Sequence, residues 1–176
     1  MIKTERIKPH QGELLRELRR RALQDAPNAF LENYDDVSKH PIERWEASAK
    51  KHATSPHSAN FFGFLEGELL GMVGAYVSEG EPDIVNLCAM WVAPEARQKG
   101  LGQALVERVL IWAKDAQAKK VCLWVNTENV TAKKFYRSCG FNNTEVTQVF
   151  SAKPDSVNEK MEYIFSGNFK APKPFN

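Results

Sequence analysis

Val92-Ala93-Pro94-Glu95-Ala96-Arg97-Gln98-Lys99-Gly100-Leu101-Gly102-Gln103-Ala104-Leu105 reads as the end of a strand, a short basic loop with two glycines, and the start of an amphipathic helix. Glycines let backbone N–H groups approach a ligand closely, and a helix N-terminus carries partial positive charge. The segment is therefore an anion cradle suited to a phosphate or pyrophosphate. Its spacing excludes the common nucleotide loops. A Walker loop needs a longer gap between its glycines and then Lys-Ser/Thr, neither of which is present. A dinucleotide fingerprint needs a third glycine where Leu105 stands.

The pattern that does fit is Gln/Arg-x-x-Gly-x-Gly/Ala, matched by Arg97, Gly100 and Gly102. A second segment accompanies it. The apolar run Val121-Cys122-Leu123-Trp124-Val125 is followed by Asn126, then Asn129, Ala132, Phe135, Tyr136, Gly140 and Phe141. Together the two segments resemble the GNAT family of N-acetyltransferases. There the first segment is the acyl-CoA loop, and the strand after its helix leads into Asn-x-x-Ala, an aromatic-Tyr pair and a closing Gly-Phe. The resemblance covers about residues 60–165 well and the N-terminal third loosely.

Composition bounds the rest. A chain of 176 residues holds one domain with a full core, expected over residues 1–167, and is too short for two comfortable ones. Its net charge of +2 gives no electrostatic footprint for nucleic acid. The one dense basic cluster, Arg16, Arg19, Arg20 and Arg21, shares a helical stretch with Glu13 and Glu17 and reads as a solvated face. No apolar run is long enough to span a membrane, and Met1-Ile2-Lys3-Thr4-Glu5-Arg6 carries no apolar signal region. A cytoplasmic protein is expected. Three cysteines are too few for a disulfide framework, and Cys88 and Cys122 fall in strands expected to be buried. Histidines 10, 40, 52 and 57 lack metal-ligand spacing, so no metal is expected.

Along the chain, Ile2 to Ile7 alternates weakly as a first strand. Gln11 to about Ala26 is helical, with Leu14, Leu15, Leu18 and Ala22 at helical spacing and the arginines opposite. Pro27 ends it, Asn28 to His40 is a polar loop, and Pro41 opens a second helix to about Lys51. Asn60 to Leu65 and Leu69 to Val77 form a hairpin around Glu66-Gly67-Glu68, and Ile84 to Val92 is a nearly all-apolar third strand. Glu145 to Phe150 and Lys160 to Phe165 close the order as strands, and residues 168–176 lack a core pattern, as a disordered tail would. Antiparallel strands followed by strand–helix–strand–helix imply an α/β mixed sheet with helices on both faces. The resemblance makes this the GNAT fold, a mostly antiparallel sheet whose two parallel strands splay to admit acyl-CoA.

Roles follow from the resemblance. Arg97, Gln98, Lys99, Gly100, Leu101, Gly102 and Gln103 would hold the pyrophosphate of acetyl-CoA, and Asn129 would also contact the cofactor. Backbone at Met90, Trp91 and Val92 would pair with the pantetheine amides, and one N–H there would polarise the thioester carbonyl. Tyr136, seven positions after Asn129, aligns with the family's general acid. An unperturbed tyrosine of pKa about 10 is protonated at neutral pH and can give its proton to a departing thiolate. The general base departs from the familiar pattern. Asn86 and Trp124 occupy the two positions where relatives carry glutamate, and neither side chain takes a proton. Deprotonation would then run through a water held by Asn86, or through Glu81 or Asp83. A lysine-like amine costs about 4–5 kcal/mol to neutralise at pH 7 and an α-amine about 1, which leans toward an acceptor of low amine pKa.

The acidic, aromatic stretch holding Phe30, Glu32 and Tyr34 would welcome a cationic amine by charge and cation–π contact. The acceptor is a small-molecule amine or a peptide or protein amine, and dimers are common in the family. The alternative from another class is a non-catalytic acyl-CoA-binding module that kept the fold and lost turnover.

Overall fold

A computed structural model describes residues 1–166 of the chain; the expected tail, 168–176, lies outside the described residues. Strand β1 (Ile2–Arg6) leads into helix α1 (Gly12–Asp25), a short 3-10 turn, α2 (Tyr34–Ser38) and α3 (Ile42–Thr54). Three long antiparallel strands follow, β2 (Ser58–Leu65), β3 (Glu68–Ser78) and β4 (Glu81–Val92). Then come α4 (Leu101–Asp115), β5 (Lys120–Asn126), α5 (Val130–Ser138), β6 (Asn142–Val149) and β7 (Val157–Ile164). The strands make one sheet in the order β1-β2-β3-β4-β5-β7-β6, antiparallel at every pair except β4–β5.

Helices cover both faces, as binary patterning requires of a sheet buried on two sides. The stripe Leu101, Leu105, Val106, Val109 of α4 is fully buried against β2 and β3, and each such side chain contributes about 1.5–3 kcal/mol. On the other face α1 and α3 pack together, with Leu15, Leu18, Ala22, Trp45 and Ala49 buried. Among the described residues no helix is long and apolar enough to cross a membrane.

The segment expected as loop from Asn28 to His40 contains α2. Asn33 caps it, its side chain accepting from the Asp36 N–H at 2.9 Å, which satisfies a first-turn donor of an otherwise polar helix. The arginines expected to form a solvated face do not all do so. Arg19, Arg20 and Arg21 stack over Phe30, Tyr34 and Trp91 at 5.5, 5.6 and 5.4 Å, because α1 lies against those rings rather than open water. Cys122 is buried, but Cys88 is open to solvent, because a cavity lies between its stretch of β4 and the helices above.

Candidate active site

The site begins with one irregularity in β4. Gly74 pairs with Cys88, but Met72 pairs with Trp91, so β4 carries one residue more than β3 over this interval. Ala89 absorbs it at φ 51°, in the left-handed region. This is a β-bulge, which re-aims side chains and bends its strand. Cys88 and Trp91, three residues apart, therefore turn to the same face: the Cys88 Sγ lies by Gly74 and Asn60, and the Trp91 indole N–H donates to Asp25 of α1 at 2.9 Å. Met90 turns to the other face, beside Gly102 of α4.

Beside the bulge the sheet opens. β4 and β5 pair only from Ile84–Lys120 to Asn86–Cys122, and beyond that point the two strands part. The Ala93 N–H donates to the Leu70 carbonyl at 2.8 Å, on the β3 side. Alternation along the strand then turns the peptide groups of Val92 toward the gap. The Val92 carbonyl there accepts from Arg97 Nε at 3.0 Å.

The glycine loop stands at the mouth of this gap. Gly100 caps α4 at φ 86°, a conformation L side chains rarely adopt, and Gln98 precedes it at φ 59°. Gly100 supplies no side chain to the first-turn N–H groups of α4, so the donors of Leu101, Gly102 and Gln103 have no side-chain cap. A Cβ on Gly102 would lie 3.2 Å from the Phe135 ring and 3.5 Å from Met90, so these walls leave little room for a side chain there. Lys99 is exposed on the loop, whereas Arg97 is committed: its guanidinium pairs with Asp25 as well as with the Val92 carbonyl.

The far wall is α5. Asn129 caps it, accepting from the Ala132 N–H at 3.0 Å. Tyr136, 9% exposed, is packed between Phe135 and Phe141 at ring separations of 5.3 and 5.8 Å. Burial pushes its phenol well above the ordinary tyrosine value, with the Cys139 and Cys88 thiols adding to the effect. It is a protonated hydroxyl at any physiological pH. The Cys88 thiol is reached by solvent but enclosed by protein on most sides, and this pushes it up to about 11.

On the α1/α3 side of the bulge is a cavity of about 210 Å³ whose floor includes Cys88 and Ala89 and whose roof includes Arg19, Trp45 and His52. His52 is the titratable group here that sequence reading missed. Its Nδ1 lies 2.9 Å from Ser58 Oγ, and burial, followed by the Lys51 and Arg6 charges, holds its pKa below the usual value. The neutral imidazole is favoured. The signal was present: Trp45, Ser48, Ala49 and His52 form one helical stripe, and a histidine interrupting an apolar stripe marks a polar cavity.

Glu32 lines the cavity, its carboxylate 3.2 Å from Arg19. Phe30 and Tyr34 do not line it, and their ring faces are covered by Arg19 and Arg20. Asn86 sits two residues before Cys88 on β4, donating to Ser78 Oγ. Glu81 and Asp83 are far away. At about 3.3 Å per strand residue, Asp83 lies about 20 Å along β4 from Ala89, and it pairs there with Lys119. Trp124 meets Phe150 edge-on at 5.5 Å. The β6–β7 connection closes over the α1 end, where Lys153 donates to the Pro27 carbonyl.

The whole arrangement matches known proteins. The model of the acetyltransferase (GNAT) family matches residues 15–141, well over half of the chain. The chain is similar to an uncharacterised N-acetyltransferase of Methanocaldococcus jannaschii, 33% identical over 66 residues, which are 38% of this chain and 29% of that protein. It is also similar to the aminoglycoside N(6')-acetyltransferase type 1 of Salmonella typhimurium, 24% identical over 115 residues, covering 60% of this chain and 77% of that one. In fold it is similar to an N-acetyltransferase of Thermoplasma acidophilum in complex with coenzyme A, with a TM-score of 0.73 at 15% identity, over 94% of this chain and 99% of that one. A bulged, splayed sheet, an uncapped glycine-headed helix and a family match across both therefore agree: the chain belongs to the GNAT acetyltransferase family.

Proposed function

We propose that the chain transfers an acetyl group from acetyl-CoA to a primary amine by direct attack in a ternary complex. The observation that carries this reading is the gap between β4 and β5, with the uncapped first turn of α4 at one end and, next to the Phe135 ring that packs by Gly102, the buried, protonated Tyr136. The residues fit the cofactor. The N–H groups of Leu101, Gly102 and Gln103, which have no side-chain cap, would hold the pyrophosphate together with the loop from Gln98, and the exposed Lys99 would add charge. The peptide groups of Met90 and Val92 face the gap, where an extended chain of amides would add to the sheet as a further strand.

When bound, acetyl-CoA supplies an electrophilic thioester carbonyl. A backbone N–H beside the bulge would stabilise charge developing on that carbonyl oxygen. Tyr136, protonated, would be the donor of the proton that the departing sulfur needs. A thiol pushed up to about 11 is a poor nucleophile at neutral pH, so Cys88 supports direct attack rather than an acyl-cysteine route. For the acceptor's proton, the cavity offers His52, whose neutral form is favoured and whose Nδ1 lies by Ser58 Oγ; Asn86, which donates to Ser78, is not part of the cavity lining.

The test is CoA-thiol release from acetyl-CoA against a panel of amines and short peptides, with Tyr136→Phe beside the wild type. Release that depends on Tyr136 is expected. Tight acetyl-CoA binding with no release across the panel would instead favour a non-catalytic acyl-CoA-binding module.

A further inference from the structure

We propose that Glu159 of β7 is a positioning residue for acetyl transfer: by drawing in the Lys133 ammonium it seats helix α5 on the sheet, and with the helix the Tyr136 hydroxyl. The inference rests on the acetyl-transfer reading for what Tyr136 does; the seating of α5 rests on the ion pair itself.

Helix α5 is nine residues long and buries one of them, Tyr136. So small an apolar face does little to fix a helix against a sheet, because in proteins it is the packing of that face that stabilises a helix. Lys133 lies one turn before Tyr136, at the spacing that puts two side chains on the same side of a helix. A surface lysine ordinarily carries its ammonium out to water. Lys133 turns inward instead. Its side chain is 18% exposed, and its ammonium lies 3.3 Å from Oε1 of Glu159, whose side chain is 11% exposed.

Glu159 is held for this contact from β6. Asn143 donates to its Oε2 at 3.2 Å. Asn143 is fixed in turn by a bulge: the β6–β7 register shifts between Asn143 and Thr147, Glu145 takes φ 63°, and the Glu145 N–H donates to Asn143 Oδ1 at 2.8 Å. Among the described residues Oε1 receives no hydrogen bond, so the Lys133 ammonium is the charge that compensates it. A buried ion pair of this kind is a weak source of stability, since neutral groups of similar shape often replace it without loss. Its use here is to select one seat for α5. Selection matters at Tyr136, because misplacing a reacting group by about 1 Å can cost about 10²-fold in rate.

The experiment removes both charges at nearly constant shape, Lys133→Met with Glu159→Gln, since removing one alone strands the other as an uncompensated buried charge. The melting temperature should stay within about 3 °C of wild type. The ring resonances of Tyr136, identified among the four tyrosines by their absence from Tyr136→Phe, should shift. Turnover should fall about tenfold in kcat. In the Tyr136→Phe background the same two substitutions should change kcat less than about twofold, because effects that run through one group do not add. Lys133→Gln, which keeps a donor but removes the charge, is the second variant should the double one unfold, with the same signs expected. Unshifted Tyr136 resonances overturn the proposal whatever the activity. Shifted resonances with full kcat, where Tyr136→Phe has lost turnover, overturn the positioning role. Full turnover of Tyr136→Phe itself defeats the proton-donor reading instead; a resonance shift then still supports the seating of α5, and its absence refutes it.

Discussion

Replacing Tyr136 with phenylalanine isolates the proton donor from everything else its ring does. The ring packs between Phe135 and Phe141 at 5.3 and 5.8 Å, and phenylalanine preserves both contacts. Loss of a single hydroxyl should change stability by about 1 kcal/mol or less, a Tm shift of about 2–4 °C for a chain of this size. Loss of general-acid catalysis is worth about 10²–10⁴-fold, or about 3–5.5 kcal/mol of barrier at 1.36 kcal/mol per decade. The two effects are separable by size. The acid must be protonated to act, so its contribution disappears as pH rises through its pKa. Burial raises that pKa above the ordinary value of 10, so no alkaline limb from this group is expected below about pH 10. The assay is kcat across pH 6–10 for both proteins, with acetyl-CoA affinity by titration. Turnover of Tyr136→Phe within threefold of wild type, at unchanged affinity, would refute the assignment. So would a wild-type alkaline limb near pH 8 that vanishes in the variant.

Gly100→Ala forces a left-handed φ of 86° on a residue with a Cβ and brings that Cβ to 3.3 Å from Ile2; at about 1–2 kcal/mol of strain, acetyl-CoA affinity by titration should fall about tenfold with little change in kcat. His52→Gln should lower kcat about 10²-fold at pH 7 and recover toward wild type at pH 9–10, where more of the amine is already neutral. The same residue predicts a stability slope: its folded pKa is depressed, so its contribution is intact above about pH 6.5 and is lost as pH falls from there through the folded value. Thermal melts between pH 7 and 5 should show this decline in the wild type and a shallower one in His52→Gln. Cys88→Ala should change kcat less than about fivefold and show no loss of a burst phase, because a thiol at about 11 is ionised about one part in 10⁴ at pH 7.

The segments proposed to hold the cofactor were legible in the sequence as local structure. The glycine loop, the helix it opens and the Asn129-to-Tyr136 interval each lie within one strand–helix unit, where spacing alone fixes neighbours. The cavity under α1 and α3 was not legible, because it is assembled from elements distant in the chain. Arg19, Trp45 and Cys88 meet only when α1 and α3 pack together across the face opposite α4. Helical periodicity showed that the arginines of α1 lie opposite its leucines, but not that Arg19 faces a cavity rather than solvent. Helix α2 left a signal that was passed over, the Asn33-x-x-Asp36 cap within a polar run. The exposure of Cys88 left none, because its nearly all-apolar strand reads the same whether the cover above it is tight or hollow.

A sheet with an internal gap is an unusual solution, since unpaired strand edges are normally covered or kept at the periphery. Here the two edges are produced by the chain itself. β5 continues to Asn126 and is paired throughout on its β7 side, yet β4 leaves it after Cys122. The divergence coincides with the bulge, whose left-handed Ala89 carries a backbone strain of about 1–3 kcal/mol. That strain does two things at once. It turns Cys88 toward the cavity under α1 and α3, and it turns Met90 toward the head of α4, so one inserted residue shapes both the cavity and the wall beside the glycine loop. The strand edges left open are ready-made hydrogen-bonding partners for a ligand with amides along its length. On the proposed reading, free energy withheld from strand pairing would be recovered as binding energy by such a ligand, which would assign the bulge and the gap to function rather than to stability.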